Sequence, residues 1–564
     1  MMLEMRSLAF LCVVLVLACA SSPPTRVEPT RPNLLVIIAD DLGYADLGSY
    51  GSEIPTPHID RLARDGVQLT NFHVAATCSP TRAMLITGVD NHRNGLGSMH
   101  RFMTEEQRGQ PGYEGHLNQR VATLGEILGA EGYDTFFSGK WHLGTQPESF
   151  PSARGFDRSY ALLVGSGDNW SDAGPAPIEP KGLFTEDGQR VERPAGPFST
   201  ELFTEKLLGY LREARTPGKP FVGLLSFQAV HWPHQAPAAD VSRHIEEYHA
   251  GWDDLREARV KRMRDLGLVA EDAPYQPRAE GIPAWDSLSD DEQRWEAHRM
   301  AAYAGMTENM DHHIGRLLQY LEDTGELDDT LIVFVSDNGP DPSEPDQEPR
   351  AKAWYATFYP NQTLENTGGP GSFPSYGPQW AQLGSGNLRG FKGGAFEGGL
   401  RVPFLAHWPA GLPPGQRSDA FAYVTDIVPT LLDAAGVQHP APHFEGHPVH
   451  APDGRSLLPL LMGQSQVAHP PEEAIGYELM KNRALFQDGY KLVRVGPPAG
   501  DGSWKLFQLD RDPFELNDLA KVEPERVARM RARYDAYATE MGVIDMPDDY
   551  DVFRALTTEA PDAQ

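Results

Sequence analysis

Four apolar runs along the chain share one form: a continuous hydrophobic stretch that stops at charged or imidazole residues. Leu34-Leu35-Val36-Ile37-Ile38-Ala39 ends in Asp40-Asp41. Tyr133 to Ser138 runs into Gly139-Lys140-Trp141-His142, and Phe221 to Phe227 runs toward His231. Leu331 to Ser336 ends in Asp337-Asn338-Gly339. Runs without the alternation of a half-exposed strand predict strands buried on both faces of a parallel sheet. In open α/β sheets ligands bind beyond the carboxyl ends of the strands. Four such strands therefore predict one shared site, built from the residues that end them.

Other periods fill in the remainder. Met306, Met310, Ile314, Leu317 and Leu321 recur at helical spacing and read as core, with His312 and His313 on the same helix exposed or merely packing. The span 240–300 is polar and helix-rich, which predicts a covering insertion. Asp341 to Gly386 is rich in Pro, Gly, Ser and Asn and has no period, so it reads as a long irregular loop, a pocket wall or lid between Asp337 and Lys392. Beyond residue 445, short segments around Tyr490, Leu492, Trp504, Leu506 and Leu509 alternate with turn signals, predicting a smaller antiparallel sheet. A helix follows from Pro524 to Met541. No internal repeat is visible.

The chain has 564 residues, enough for one large domain and a smaller one, or for two to three average domains. Its formal net charge of −30 argues against a nucleic-acid partner, which needs a basic footprint. Residues 1–19 read as an export signal: Arg6 precedes the apolar run Leu8 to Ala18, which is too short to span a bilayer. Val16-Leu17-Ala18-Cys19 is similar to a bacterial lipobox, with Cys19 as the lipidated residue. The membrane is then met only through an N-terminal lipid anchor, with plain secretion as the alternative. Residues 20–31 form a tether, 32–445 a catalytic domain, 446–545 the smaller sheet and helix, and 546–564 a tail. Of Cys12, Cys19 and Cys78, only Cys78 stays free in the mature body, and a leftover thiol in an exported protein is a candidate for reactive chemistry.

That cysteine opens the stretch Cys78-Ser79-Pro80-Thr81-Arg82-Ala83-Met84-Leu85-Ile86-Thr87-Gly88. Pro80 suits a first helical position, and Arg82 lies one turn beyond Cys78, near the same face. A helix N-terminus favours anions, so the nucleophile sits where an anion binds. A lone cysteine in this setting would otherwise read as core. Asp40, Asp41, Asp337 and Asn338 supply hard oxygen ligands, which select calcium or magnesium over zinc, although Asp-Asp after a strand alone reads as a cap or turn. Lys140 and His142, taken singly, read as surface residues. The glycines around Lys392, in Gly390-Phe391-Lys392-Gly393-Gly394, permit close backbone approach or mark a turn.

The Cys78 stretch resembles the signature of the type I, formylglycine-dependent sulfatases: Cys-x-Pro-x-Arg, an apolar pair, then Thr-Gly. Gly132 to His142 resembles the family's second signature. His231-Trp232-Pro233-His234 and Gly390 to Arg401 are similar to its later segments, with His234 as a decoy beside His231. The resemblance runs from Pro32 to about Ala520. Asp90 to Met99, Ser375 to Ala381 and Ala250-Gly251-Trp252 bring it nearest to bacterial arylsulfatases. It implies an alkaline-phosphatase-like α/β fold, with a mixed, mainly parallel sheet between helices and a smaller C-terminal α+β part. It also implies a catalytic set of Cys78, Arg82, Lys140, His142, His231, Asp337 and Lys392. A maturation enzyme would oxidise Cys78 to formylglycine. One divalent cation, calcium before magnesium, would sit on Asp40, Asp41, Asp337 and Asn338. The implied activity is hydrolysis of a small sulfate monoester to an alcohol or phenol and sulfate, in a periplasmic or outer-membrane lipoprotein of a bacterium. Two rivals stand beside it: a formylglycine-dependent phosphonate or phosphate ester hydrolase, and a non-catalytic surface lipoprotein that binds sulfated ligands.

Overall fold

The first apolar run lies at the middle of the main sheet. In the computed structural model, which describes residues 31–177, 179–349 and 351–552, it forms β1 (Asn33–Ala39), buried at every position. The other strands of this sheet follow in order: β2 (Val67–His73), β3 (Asp134–Lys140), β4 (Arg158–Leu162), β5 (Phe184–Glu186) and β6 (Gln189–Val191). Then come β7 (Phe221–Ser226), β8 (Thr330–Ser336), β9 (Arg401–His407), β10 (Gln416–Ser418) and β11 (Ala422–Tyr423). Their order across the sheet is β10-β2-β9-β8-β1-β7-β3-β4-β5-β6, with β11 also on β2. The centre, β8-β1-β7-β3-β4, is parallel. Antiparallel pairings of β9 with β8 and of β5 with β4 flank it.

Alternate residues of β1 feed two different cores, which is why the run is apolar throughout. Leu34, Val36 and Ile38 pack with Ala83, Met84, Leu85 and Ile86 of α1 (Cys78–Thr87). Leu35 and Ile37 face the opposite layer, where α2 (Asp290–Asp323) contributes Met306, Met310, Ile314, Leu317 and Leu321. A capping box starts α2: the Ser289 hydroxyl accepts from the Glu292 N–H, and the Glu292 carboxylate accepts from the Ser289 N–H at 2.8 Å. His312 is exposed and His313 is buried.

Two local expectations are corrected. Helix α1 begins at Cys78, with Thr77 preceding it in extended conformation, so Pro80 is the third helical residue and not the first. Its missing N–H still falls within the first turn, where no intrahelical partner exists. The span 341–386 is not structureless: it carries helices Lys352–Phe358 and Gly377–Gly384. Tyr355, Tyr359 and Phe373 form a small aromatic core inside it, which the Pro and Gly content concealed.

Beyond residue 445, β12 (Ile475–Leu479), β13 (Asn482–Gln487), β14 (Tyr490–Arg494) and β15 (Trp504–Gln508) make an antiparallel meander. Helix α3 (Pro524–Met541) covers it, with Met530 and Tyr534 against Leu485, Leu492 and Leu506. The other face of the meander joins the large core through Tyr477, Ala484 and Val493. Residues 1–30, with Cys19 and most of the tether, lie outside the described residues. No helix among the described residues is long and apolar enough to cross a membrane.

A buried histidine ties the segment after α1 to the C-terminal sheet. His92, just past α1, bonds Asp90 through Nδ1 at 2.8 Å and Glu478 of β12 through Nε2 at 2.9 Å. Burial disfavours its charged form, but the two carboxylates outweigh that and raise its pKa to about 9. One imidazolium cannot neutralise two buried carboxylates: Asp90 is lowered, and burial pushes Glu478 up to about 7. A histidine raised on folding stabilises fully below its unfolded pKa, and that stabilisation is lost as pH climbs through the folded value. The stability advantage of wild type over His92→Gln is therefore expected to be full at pH 6 and to shrink by on the order of 2 kcal/mol by pH 9.5. Urea unfolding at the two pH values measures it, and an advantage independent of pH would contradict this assignment.

Candidate active site

The parallel strands end together, and their last residues meet. Asp40 and Asp41 follow β1, Lys140 ends β3, and Asp337 and Asn338 follow β8. The Asp41 N–H donates to Asp337 Oδ1 at 3.2 Å, and the Leu42 N–H donates to Ser336 Oγ at 3.0 Å, which locks the two strand ends in register. Gly139 lets β3 approach β7 closely: its φ is +123°, and a Cβ there would lie 1.8 Å from the Ser226 carbonyl. Any other residue would push Lys140 out of line.

Arg82 is the hub of the cluster. Its Nε donates to Asp337 Oδ2 at 2.7 Å, and Nη1 donates to the Lys140 carbonyl at 2.9 Å and to Ser226 Oγ at 2.5 Å. Its Nη2 lies 3.7 Å from Asp40 Oδ1 and has no hydrogen-bond partner. Lys140 Nζ donates to Asp40 Oδ2 at 2.5 Å. Lys392 Nζ lies 2.7 Å from Asp41 Oδ1 and 3.0 Å from Asp341 Oδ2. Asn338 Nδ2 donates to Asp41 Oδ1 at 2.7 Å, while its Oδ1 is buried without a partner. Cys78 Sγ donates to Asp40 Oδ1 at 3.4 Å. Ligand atoms of Asp40, Asp41, Cys78 and Asp337 all fall within 4.8 Å of one another.

Four carboxylates thus face three fixed cations in a desolvated space. Burial, then the neighbouring Asp337 carboxylate, pushes Asp40 up. Burial also raises Asp41, against the pull of Lys392. Asp337 goes the other way: burial opposes its charge, but Arg82, Lys140 and Lys392 together hold it below the usual carboxylate range. The same burial, with Asp337 beside it, pushes the Cys78 thiol well up, so the thiolate is disfavoured.

The imidazoles occupy distinct positions. His231 Nδ1 lies 2.7 Å from the Trp232 carbonyl, which can only accept, so the ring proton is on Nδ1 and Nε2 faces Asp41 Oδ2 at 3.6 Å. His142 has φ +57°, its ring lies against Gly165, and its Nδ1 is buried without a partner. Burial and then cationic neighbours hold both rings neutral: Lys392 beside His231, Lys140 and Arg82 beside His142. His234 packs its ring against Tyr303 and Tyr376, and burial lowers its pKa to about 3.

Two contributors escaped the sequence reading. Asp341 accepts from the Trp232 indole N–H at 3.0 Å as well as pairing with Lys392. Ser226 accepts from Arg82 and donates to the Lys140 carbonyl at 2.6 Å. Asp341 falls in a Pro- and Asp-rich stretch with no period, and Ser226 is one polar residue at the end of an apolar run, so neither stood out.

A family profile described as Sulfatase matches residues 32–437, which is more than half of the chain. The chain belongs to the sulfatase family. A second profile, N-sulphoglucosamine sulphohydrolase, C-terminal, matches residues 392–535. An uncharacterized sulfatase of Schizosaccharomyces pombe is 40% identical over 93% of this chain and 96% of its own length. The arylsulfatase of Klebsiella aerogenes is 34% identical over 73% and 88%, and the steryl-sulfatase of Mus musculus is 30% identical over 92% and 83%. Among solved structures, a sulfatase from Pseudoalteromonas sp. superposes with a TM-score of 0.59 at 21% identity, covering 91% of each chain, which bears out the alkaline-phosphatase-like fold. This sulfatase is a sulfuric ester hydrolase, and the resemblance to arylsulfatases holds. The expected bacterial periplasmic or outer-membrane lipoprotein does not hold. The fission-yeast relative is more similar than the Klebsiella enzyme, and with the mouse relative it points to a eukaryotic protein.

The burial of Cys78, 2% exposed, has a direct readout. In a preparation of the sulfatase that retains the thiol, iodoacetamide at pH 8 is expected to label Cys78 at least ~10-fold more slowly in the native state than in denaturant, since alkylation needs an accessible thiolate. Peptide mass spectrometry measures this, and equal rates would contradict the buried, acid-weakened thiol.

Proposed function

We propose that this sulfatase is of the arylsulfatase type, cleaving small sulfate monoesters to a phenol or alcohol and inorganic sulfate. On this reading residue 78 is converted to formylglycine by a maturation enzyme, and one divalent cation is bound by Asp40, Asp41, Asp337 and Asn338. The observation that carries it is the buried cluster around Cys78, with Arg82 Nη2 and Asn338 Oδ1 unpartnered. The donor set fits a cation: three carboxylates and an amide oxygen are hard ligands, calcium before magnesium, and the idle Asn338 Oδ1 points to a missing electrophile. Four carboxylates against three cations leave an excess of negative charge that a divalent ion reverses, making the site fit for an anion. Residue 78 fits the modification, because a thiol so disfavoured as thiolate makes a poor nucleophile. Residues 32–445 then form the catalytic domain and 446–545 its C-terminal extension.

When bound, the cation would act as a Lewis acid toward oxygen, and formylglycine would supply a hydrated aldehyde as nucleophile. The chain's own residues do the remaining work. Arg82, through the free Nη2, and Lys140 hold the sulfuryl oxygens and offset the charge that gathers on them in the transition state. Asp337, kept ionised by three cations, would take up the proton that the nucleophile gives up. His142, neutral and with an idle Nδ1, accepts a proton at the later step that frees sulfate. Lys392, fixed between Asp41 and Asp341, stays charged and faces the ester oxygens. His231 is the proton mover on the leaving side: Nε2 is bare at rest, and a sulfate anion beside it favours protonation there. Trp232, half-buried with its ring tilted against His231 at 4.3 Å, forms the adjoining wall.

Two outcomes test the reading. Mass spectrometry of the peptide containing residue 78, from protein made with a maturation enzyme, should find the aldehyde, and Cys78→Ala should abolish turnover of nitrophenyl sulfate. Active protein with an intact thiol would overturn it. His231→Ala should slow sulfates of basic alcohols by roughly 10²–10⁴-fold but nitrophenyl sulfate far less, because only the poorer leaving group needs a proton. Equal losses in kcat/KM across a leaving-group series would remove His231 from that role.

A further inference from the structure

Lys392 reaches the cluster from a loop, and loops do not by themselves hold a long flexible side chain. The backbone around it is tied on both sides. The Lys392 N–H donates to the Pro340 carbonyl at 3.1 Å, and the Gly393 N–H donates to the Ala76 carbonyl at 2.8 Å, two residues before Cys78. The Gly393 carbonyl is taken by Asn482, whose Nδ2 donates to it at 2.8 Å from the start of β13. Four residues on, Glu397 enters a desolvated charge cluster. Its N–H donates to Glu515 Oε2 at 2.7 Å, its Oε1 accepts from Lys491 of β14 at 2.8 Å, and its Oε2 meets His73 Nε2 at 2.9 Å. Lys491 also pairs with Glu515 at 2.9 Å, and the side chains of Glu397, Lys491 and Glu515 are all 0% exposed. On the other side, Arg389 Nη1 donates to the Glu515 carbonyl at 3.1 Å.

Asn482, Lys491 and Glu515 all belong to the C-terminal part, and they hold the loop at Gly393 and at Glu397, which His73 of β2 also meets. Burying such a cluster costs desolvation that its internal attraction barely offsets, so fold stability alone explains it poorly. It does fix the backbone on both flanks of one lysine. Catalytic groups must be held to within fractions of an ångström, and a displacement of about 1 Å can cost ~10²-fold in rate.

We propose that the C-terminal sheet is a brace for Lys392: Asn482, Lys491 and Glu515 are positioning residues that act through the backbone of Gly393 and through Glu397. The proposal rests on the reading of Lys392 as the cation facing the ester oxygens. The ends of the brace converge on both reacting sides, since the Tyr477 hydroxyl of β12 also accepts from the Ala76 N–H at 3.4 Å. Losing a brace contact leaves the binding cations Arg82 and Lys140 untouched, so kcat falls and KM moves little.

A double-mutant cycle on nitrophenyl sulfate tests it. Asn482→Ala removes one side-chain hydrogen bond, leaves the ion cluster intact, and is checked for folding by its Tm. It should lower kcat by about 10-fold with KM within ~3-fold, as a displaced group would. In a Lys392→Ala background the same change should cost less than ~2-fold, because the residue it positions is gone. Lys491→Met should behave in the same way, and should it fail to fold, Asn482→Ala decides alone. Equal losses from Asn482→Ala in both backgrounds, or no loss in either, would overturn the brace while leaving Lys392 its role. Wild-type activity in Lys392→Ala would overturn the reading of Lys392 and the brace with it.

Discussion

The contact between Arg82 and Asp337 is the constraint on which the site depends. It joins the helix that carries Cys78 to the strand end that carries two of the cluster's oxygen donors, and neither side chain is exposed beyond 2%. Removing one member of a buried ion pair strands the other as an uncompensated charge, which is far costlier than the pair is worth. Arg82 also holds the Lys140 carbonyl and Ser226, so one guanidinium sets the relative positions of α1, β3, β7 and β8. Its planar fork suits this role: three of its five N–H groups are spent on the protein, and the two on Nη2 are left without a hydrogen-bond partner.

The parallel centre of the sheet explains why such a concentration of charge is tolerated. Five parallel strands bring their carboxyl ends to one edge, so Asp40, Asp41, Lys140 and Asp337 are delivered by rigid backbone, as Arg82 is by α1. Lys392 and its partner Asp341 come from loops, and Lys392 has external support from the C-terminal meander. The second family profile begins at residue 392 itself, so this lysine and its support fall within one matched segment.

Much of this was legible in the chain. Apolar runs of six or seven residues ending in Asp-Asp, Lys-x-His or Asp-Asn read directly as buried strands whose polar ends meet, because the hydrophobic run and the abrupt polar stop are local signals. Helix α3 is likewise marked at its start by Pro524. What was not legible depends on partners distant in sequence. Nothing near Asn482 or Glu515 announces a contact with the loop after Lys392, and Asp341 gains its meaning only from Trp232 and Lys392. The aromatic core of the 341–386 segment was hidden because Pro and Gly dominate its composition while Tyr355, Tyr359 and Phe373 do the packing. The leader misled for a different reason: four residues ending in Cys19 carry little information beside an alignment of more than 500 residues with a yeast protein.

The order of the chain adds a consequence in time. Cys78 is emitted early, yet it is enclosed by residues made much later, Asp337 and Lys392 among them. At ~5–20 residues per second, the roughly 260 residues between Cys78 and Asp337 take about 13–50 s to synthesise. During that interval β1 lacks its neighbour β8, and the cysteine cannot be sealed beneath the cluster. Any enzyme that modifies Cys78 therefore works against a clock set by the ribosome, and slow synthesis downstream lengthens its opportunity. The topology that makes the finished site rigid thus keeps its central residue open for part of its making.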